Sequence, residues 1–121
     1  KSNLDLNKTY KGIKISSGNS FVHETESQVI LNGSYNINFT MDLVEKDMTL
    51  FNNLSKKLGA ALEISPLVLN IFKDGRDKFG PRAWSSMIVK RMEDMCNINF
   101  RAEGFPAELV DNEPEEKGYE I

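Results

Sequence analysis

The chain has 121 residues, 40% hydrophobic and 27% charged, with a net charge of −3 at pH 7, which suits one globular domain burying about two thirds of its unfolded surface. No apolar run approaches the roughly 18 residues that cross a bilayer, and the single Cys96 cannot close an internal disulfide. With no secretory signal at the front, a cytoplasmic protein that does not engage a membrane is expected.

The charge is unevenly spread. From Ala102 onward seven acids face Lys117 alone, a net of −6, so residues 1–101 carry +3. That small excess does not gather on one face, which argues against nucleic acid as a partner.

Helix signals dominate from the first residues, and KSNLDLNKTY lacks an initiator Met, as the opening of a fragment would. Leu4, Leu6, Tyr10, Ile13 and Ile15 form a short amphipathic pattern with Asp5 placed to cap it, ending at the turn-forming SSGNS. FVHETESQVIL makes a second helix, with Glu24 and Glu26 in the first turns, where the helix dipole favours acids. Asn32-Gly33-Ser34 stops it, and SYNINFT connects onward.

The third helix runs from about Met41 to Leu58, with Gly59 as a left-handed stop. At about 100° per residue, Leu43, Val44, Met48, Leu50, Phe51, Leu54 and Leu58 share one apolar arc. Asp42, Glu45, Asn52, Asn53, Lys56 and Lys57 fall outside it, as a solvated face would. Asp47 lies inside the arc and Lys46 just beyond its edge. A carboxylate there needs a partner, because burying one unpaired costs several kcal/mol. Two readings follow. Asp47 caps a neighbouring helix or pairs with Arg76, Arg82 or Arg91; or it faces a polar cleft, with Phe39 beside it and Lys46 offering its ammonium to an anionic group.

Ser65 and Pro66 are placed to start a fourth helix as N-cap and first-position proline, running toward Phe79 before Gly80-Pro81. WSSMIVKRMEDMC spaces Trp84, Met87, Ile88, Met92 and Met95 or Cys96 as a fifth helix, whose methionines serve a core or a subunit contact. An all-α domain of about five helices follows, spanning residues 1–101. Residues 102–121 read as an extended acidic tail, either disordered or with part of it lying by its apolar residues along a surface of this chain or of a neighbouring subunit. The usual catalytic and metal patterns are missing. His23, the only histidine, reads as a surface or packing residue, and Cys96 as a small buried hydrophobe.

The run from Asn38 to Lys90 resembles the C-terminal helical domain of the 3-hydroxyisobutyrate dehydrogenase family of β-hydroxyacid dehydrogenases. The resemblance rests on Phe39, Leu43, Lys46-Asp47-Met48, Leu50, Leu58-Gly59 and Pro66-Leu67, in that order. Met48 stands where leucine is commoner and Phe51 where a small residue is usual. LDLNKTYKGIKISSGNSF is similar to the family's preceding helix and serine-glycine turn, so the likeness spans roughly residues 4 to 95. It implies a helical domain like the C-terminal one of 6-phosphogluconate dehydrogenase, lacking its N-terminal Rossmann partner. It also implies NAD or NADP bound mainly by that absent domain, with Lys46 touching the cofactor and Phe39 and Asp47 bordering a pocket for a small β-hydroxyacid. The family's catalytic lysine, in a Gly-x-x-x-Lys context, has no counterpart, so no catalytic residue and no metal site are expected in this chain. Homo-oligomers are implied as well. A helical module that only binds other proteins is the alternative.

Overall fold

The computed structural model describes residues 2–109 and Gly118. Five α-helices and one 3-10 turn make up its regular structure: α1 (Leu6–Lys14), α2 (Phe21–Asn32), α3 (Met41–Leu58), α4 (Ile64–Phe79), the 3-10 segment Ser85–Val89 and α5 (Lys90–Cys96). Among the described residues there is no strand, only an isolated antiparallel bridge between Thr40 and Trp84. The all-α expectation holds.

The local signals act where the sequence places them. The Asp5 carboxylate accepts the Lys8 N–H at 3.0 Å, and the Ser20 hydroxyl accepts the His23 N–H at 3.0 Å, each satisfying an orphan donor of a first turn. Gly33 (φ 94°) and Gly59 (φ 68°) close α2 and α3 in the left-handed region, which suits a residue without Cβ.

Two boundaries differ from expectation. α4 begins at Ile64 with Glu63 as its cap, so Pro66 sits third in the first turn, where its missing N–H is still no loss. The Ser65 hydroxyl is buried without a partner instead of capping. The fifth helix opens as the tighter 3-10 form because its first residues bond elsewhere. The Ser85 N–H donates to the Phe39 carbonyl at 2.8 Å, and the Ser86 hydroxyl to the Tyr35 carbonyl at 2.6 Å.

α1 packs on α2, α3 pairs with α4, and the 3-10 segment touches α2, α4 and α5 at the centre. Val29, Leu31, Tyr35, Met41 and Leu69 are the buried apolar side chains. Gly75 is buried in α4, and a Cβ there would lie 2.6 Å from Ile88 Cδ1 and 3.5 Å from Met41 Cε and Sδ. The space its missing side chain leaves is thus filled by two neighbouring elements. Gly75→Ala needs only the end of Ile88 to move, and helix propensity offsets part of that cost. Gly75→Val overfills the site and should lower unfolding free energy by about 2 kcal/mol. Urea denaturation of the two variants checks this, with the alanine variant expected to lie nearer the parent.

The solvated face assigned to α3 from its pattern forms only in part: Asn53, Lys56 and Lys57 are exposed as expected, but two of its members turn inward. Asn52 is buried, Glu45 is largely covered and bridges to Arg76 of α4 at 2.5 Å, and Ser55 is buried too. Met41, Glu45, Met48, Asn52 and Ser55 recur every three to four residues and form the stripe turned inward. Asn52 can be buried because its amide donates to the Met48 carbonyl at 2.8 Å. Leu50, Phe51, Leu54 and Leu58 consequently face solvent, joined by Ile64 and Leu67 of α4. Small or internally satisfied residues let α3 and α4 approach, and the C-terminal half of the apolar arc is left outside. Met92 and Met95 of α5 are likewise exposed, so they are not core.

The stretch after α5 runs back across α2. The Ala102 N–H donates to the Leu31 carbonyl at 3.0 Å, Asn32 to the Phe105 carbonyl at 2.9 Å, and Ser34 to the Ala107 carbonyl at 2.6 Å. Phe105 meets Tyr10 edge-on at 5.1 Å. From Val110 on, all but Gly118 of the expected tail lies outside the described residues.

Candidate functional site

The N-terminus of α3 is stitched to the loop after α4 by backbone alone. The Met41 N–H donates to the Ala83 carbonyl at 2.9 Å and the Asp42 N–H to the Pro81 carbonyl at 3.0 Å, satisfying donors that Thr40, whose side chain makes no cap bond, leaves free. The Thr40 hydroxyl turns instead to the Asp42 carboxylate, which also meets Arg82 at 3.2 Å. The Thr40 hydrogen bond exceeds the opposing cost of desolvation and, with the smaller help of Arg82 and the Leu43 N–H, holds the Asp42 carboxyl below its ordinary value. These bonds fix the backbone of Phe39 and the direction in which α3 leaves it.

Phe39 precedes the helix and lines a cavity of about 360 Å³ with Val22, Glu26, Val44, Phe72 and Ser85 among its walls. Lys46 and Asp47 stand apart from that lining. Their side chains are 59% and 55% exposed and pair with each other at 3.1 Å. The arginines that could have claimed Asp47 are engaged elsewhere: Arg76 with Asp77 and Glu45, Arg82 with Asp42, Arg91 with Asp74. An exposed ion pair of this kind adds little stability, so both charges remain available to a ligand. The structure therefore brings Lys46 and Asp47 together on an open surface, and seats Phe39 in a separate wall about two turns back.

His23 is a packing residue. Its Nε2 lies 3.0 Å from the Tyr10 carbonyl, its Nδ1 lies 3.1 Å from the Ser27 hydroxyl, and its ring is 4.9 Å from that of Tyr10. Cys96 is half-buried and free. Among the described residues no cluster of His, Cys, Asp or Glu could hold a metal ion, and no helix is long and apolar enough to cross a membrane.

Sequence reasoning missed the most buried charge. Glu93 is 1% exposed and accepts from the Tyr35 hydroxyl at 2.6 Å, the Phe100 N–H at 2.8 Å and Arg101 at 2.8 Å. Burial pushes its carboxyl up, but the Tyr35, Phe100 and Arg101 contacts outweigh it and hold the group below its ordinary 4.5. Its register gave a signal, since Glu93 falls four residues after Val89 and seven after the buried Ser86. The cluster clamps the connection before α3 to the strap after α5, and so sets the frame from which Phe39 projects.

The family model described as NAD-binding of NADP-dependent 3-hydroxyisobutyrate dehydrogenase matches residues 1–109. No curated protein matches the chain.

Proposed function

The chain belongs to the family of NAD-binding domains of NADP-dependent 3-hydroxyisobutyrate dehydrogenase, and from that premise we propose that it forms the helical side of an NAD(P)-dependent dehydrogenase's active-site cleft, acting on a small β-hydroxyacid. The observation that carries this reading is the exposed Lys46–Asp47 pair on α3. A carboxylate on an otherwise apolar arc stays solvated and free of arginine, as a residue bordering a polar cleft should. Lys46 offers an ammonium to the dinucleotide, and Asp47 and the part of Phe39 left exposed outside its cavity border the substrate pocket.

The donor set fits a contributing role and not sole custody of the cofactor. Lys46 supplies one flexible cation, whereas a pyrophosphate is held by a glycine-rich strand-turn-helix, and no strand exists among the described residues to build one. The nicotinamide, when bound, accepts the hydride from the hydroxyl-bearing carbon. This chain's own residues bind and orient, and the proton-transfer group comes from the Rossmann-bearing part of the parent chain, as does most of the cofactor's binding surface. Alone, the chain is inactive. Residues 1–101 form this cleft and oligomerisation unit, with the acidic tail beyond.

The exposed apolar residues of the α3–α4 hairpin, Leu50, Phe51, Leu54, Leu58, Ile64 and Leu67, suit contacts between subunits in a cytoplasmic homo-oligomer, because contiguous apolar surface marks interaction sites.

Asp47→Asn in the intact dehydrogenase tests the substrate side. The side chain is exposed, so the unfolding free energy should stay within about 0.5 kcal/mol of the parent, while KM for the hydroxyacid shifts severalfold. Steady-state kinetics read beside thermal unfolding decide it: lost stability with unchanged KM would make Asp47 a structural residue.

A further inference from the structure

The cavity behind Phe39 contains a feature that the dehydrogenase reading does not use. Its walls are mostly apolar, with Ile30, Val44 and Val89 beside Phe39 and Phe72, yet Glu26 also lines it. Among the described residues Glu26 has no hydrogen bond and no ion pair, unlike Glu24 two residues earlier, which holds both Asn19 and Lys14. Burial pushes the Glu26 carboxyl up from its ordinary 4.5. An unpaired carboxylate beside hydrocarbon is poorly solvated, and a cation brought to it gains both the charge pairing and the relief of that cost. Aromatic faces favour the same charge, because a ring quadrupole attracts ammonium groups. The cavity's volume of about 360 Å³ lies within the range of small-molecule sites.

We propose that this cavity is a binding site for a small amine with an apolar body, its ammonium at Glu26 and its hydrocarbon part against Phe39 and Phe72. Anions are disfavoured there, since a second carboxylate would face Glu26. The site is thus distinct in ligand charge from a hydroxyacid pocket, and it does not depend on Lys46 or Asp47 touching a cofactor. It involves binding only, with no bond made or broken.

The test is a titration of the 121-residue chain, carrying labelled methyl groups, with phenethylamine, 2-phenylethanol and 3-phenylpropionate, followed by NMR. These probes share the phenyl group and a short linker and differ in charge. The amine should shift the methyls of Ile30, Val44 and Val89 and bind about tenfold more tightly than the alcohol, a difference of about 1.4 kcal/mol, with the acid weakest. Glu26→Gln should bring the amine down to the alcohol's affinity and leave the alcohol unchanged. The variant should fold, because it removes an unpaired charge. Phe72→Leu, which keeps the cavity apolar, should weaken the amine more than the alcohol. Equal affinities for amine and alcohol in the unmodified chain would overturn the proposal. So would an amine preference that survives Glu26→Gln, or methyl shifts lying elsewhere on the chain.

Discussion

Glu93→Ala should lower the unfolding free energy by about 3–5 kcal/mol, the largest single effect expected in this chain. Removing one member of a buried, hydrogen-bonded ion pair leaves its partners unsatisfied in a poorly solvated place. Here three donors lose their acceptor at once: the Tyr35 hydroxyl, the Phe100 N–H and Arg101. Tyr35→Phe removes two bonds, the one its hydroxyl donates to Glu93 and the one it accepts from Arg101, but leaves the carboxylate its other two donors, so about 1–3 kcal/mol is expected for it. Urea denaturation checks both.

The same cluster makes stability depend on pH with a definite sign. The Glu93 carboxyl titrates lower in the folded chain than its ordinary 4.5, so unfolding takes up a proton in the interval between. Its contribution is complete above about pH 4.5 and is lost as pH falls through the lowered folded value. Glu93→Gln should flatten that part of the stability profile. An unchanged acid limb would remove Glu93 from the account.

Lys46→Ala in the intact dehydrogenase should raise the apparent constant for the nicotinamide cofactor on the order of tenfold, as loss of a charge-assisted contact does. kcat should change less, since the lysine is proposed to hold the cofactor rather than the reacting atoms. Folding should be untouched, because among the described residues the ammonium meets only the neighbouring Asp47 on an exposed surface. The combination separates a binding role from a structural one. An unchanged cofactor constant would reject the assignment, and a raised constant with equal loss of stability would reassign it to folding.

The helices were legible because their signals are local. Asp5, Gly33 and Gly59 act within a single turn, and each does in the structure what its chemistry requires. Which face of α3 turns inward was not legible, because that choice belongs to the helix pair. α4 presents Gly75 and Arg76, which accept Met41 and Glu45, and the part of the apolar arc from Leu50 to Leu58 is thereby left to solvent. An apolar stripe identifies a face that seeks contact without saying whether the contact lies within the chain or outside it.

The exposed position of Asp47 follows from the same choice, so its place in the stripe has a geometric explanation: from Leu50 to Leu58 the stripe is on the surface, and Asp47 lies at the start of that exposed part. The Glu93 cluster escaped notice because Tyr35, Glu93 and Arg101 are far apart in sequence and converge only through the fold. Glu26 read as a favourable first-turn acid, and its place in the cavity wall depends on Phe39 and Phe72 arriving from other elements.

The central claim is that α3 presents Lys46 to a bound dinucleotide, and lysine footprinting of the intact dehydrogenase tests it without any substitution. An amine-acylating reagent is applied with and without NADP, and modification at each lysine is read by mass spectrometry. Lys46 should be protected by the cofactor while Lys56 and Lys57, exposed at the other end of the same helix, react equally in both samples. Acylation of Lys46 at the same rate with and without saturating NADP would contradict the account.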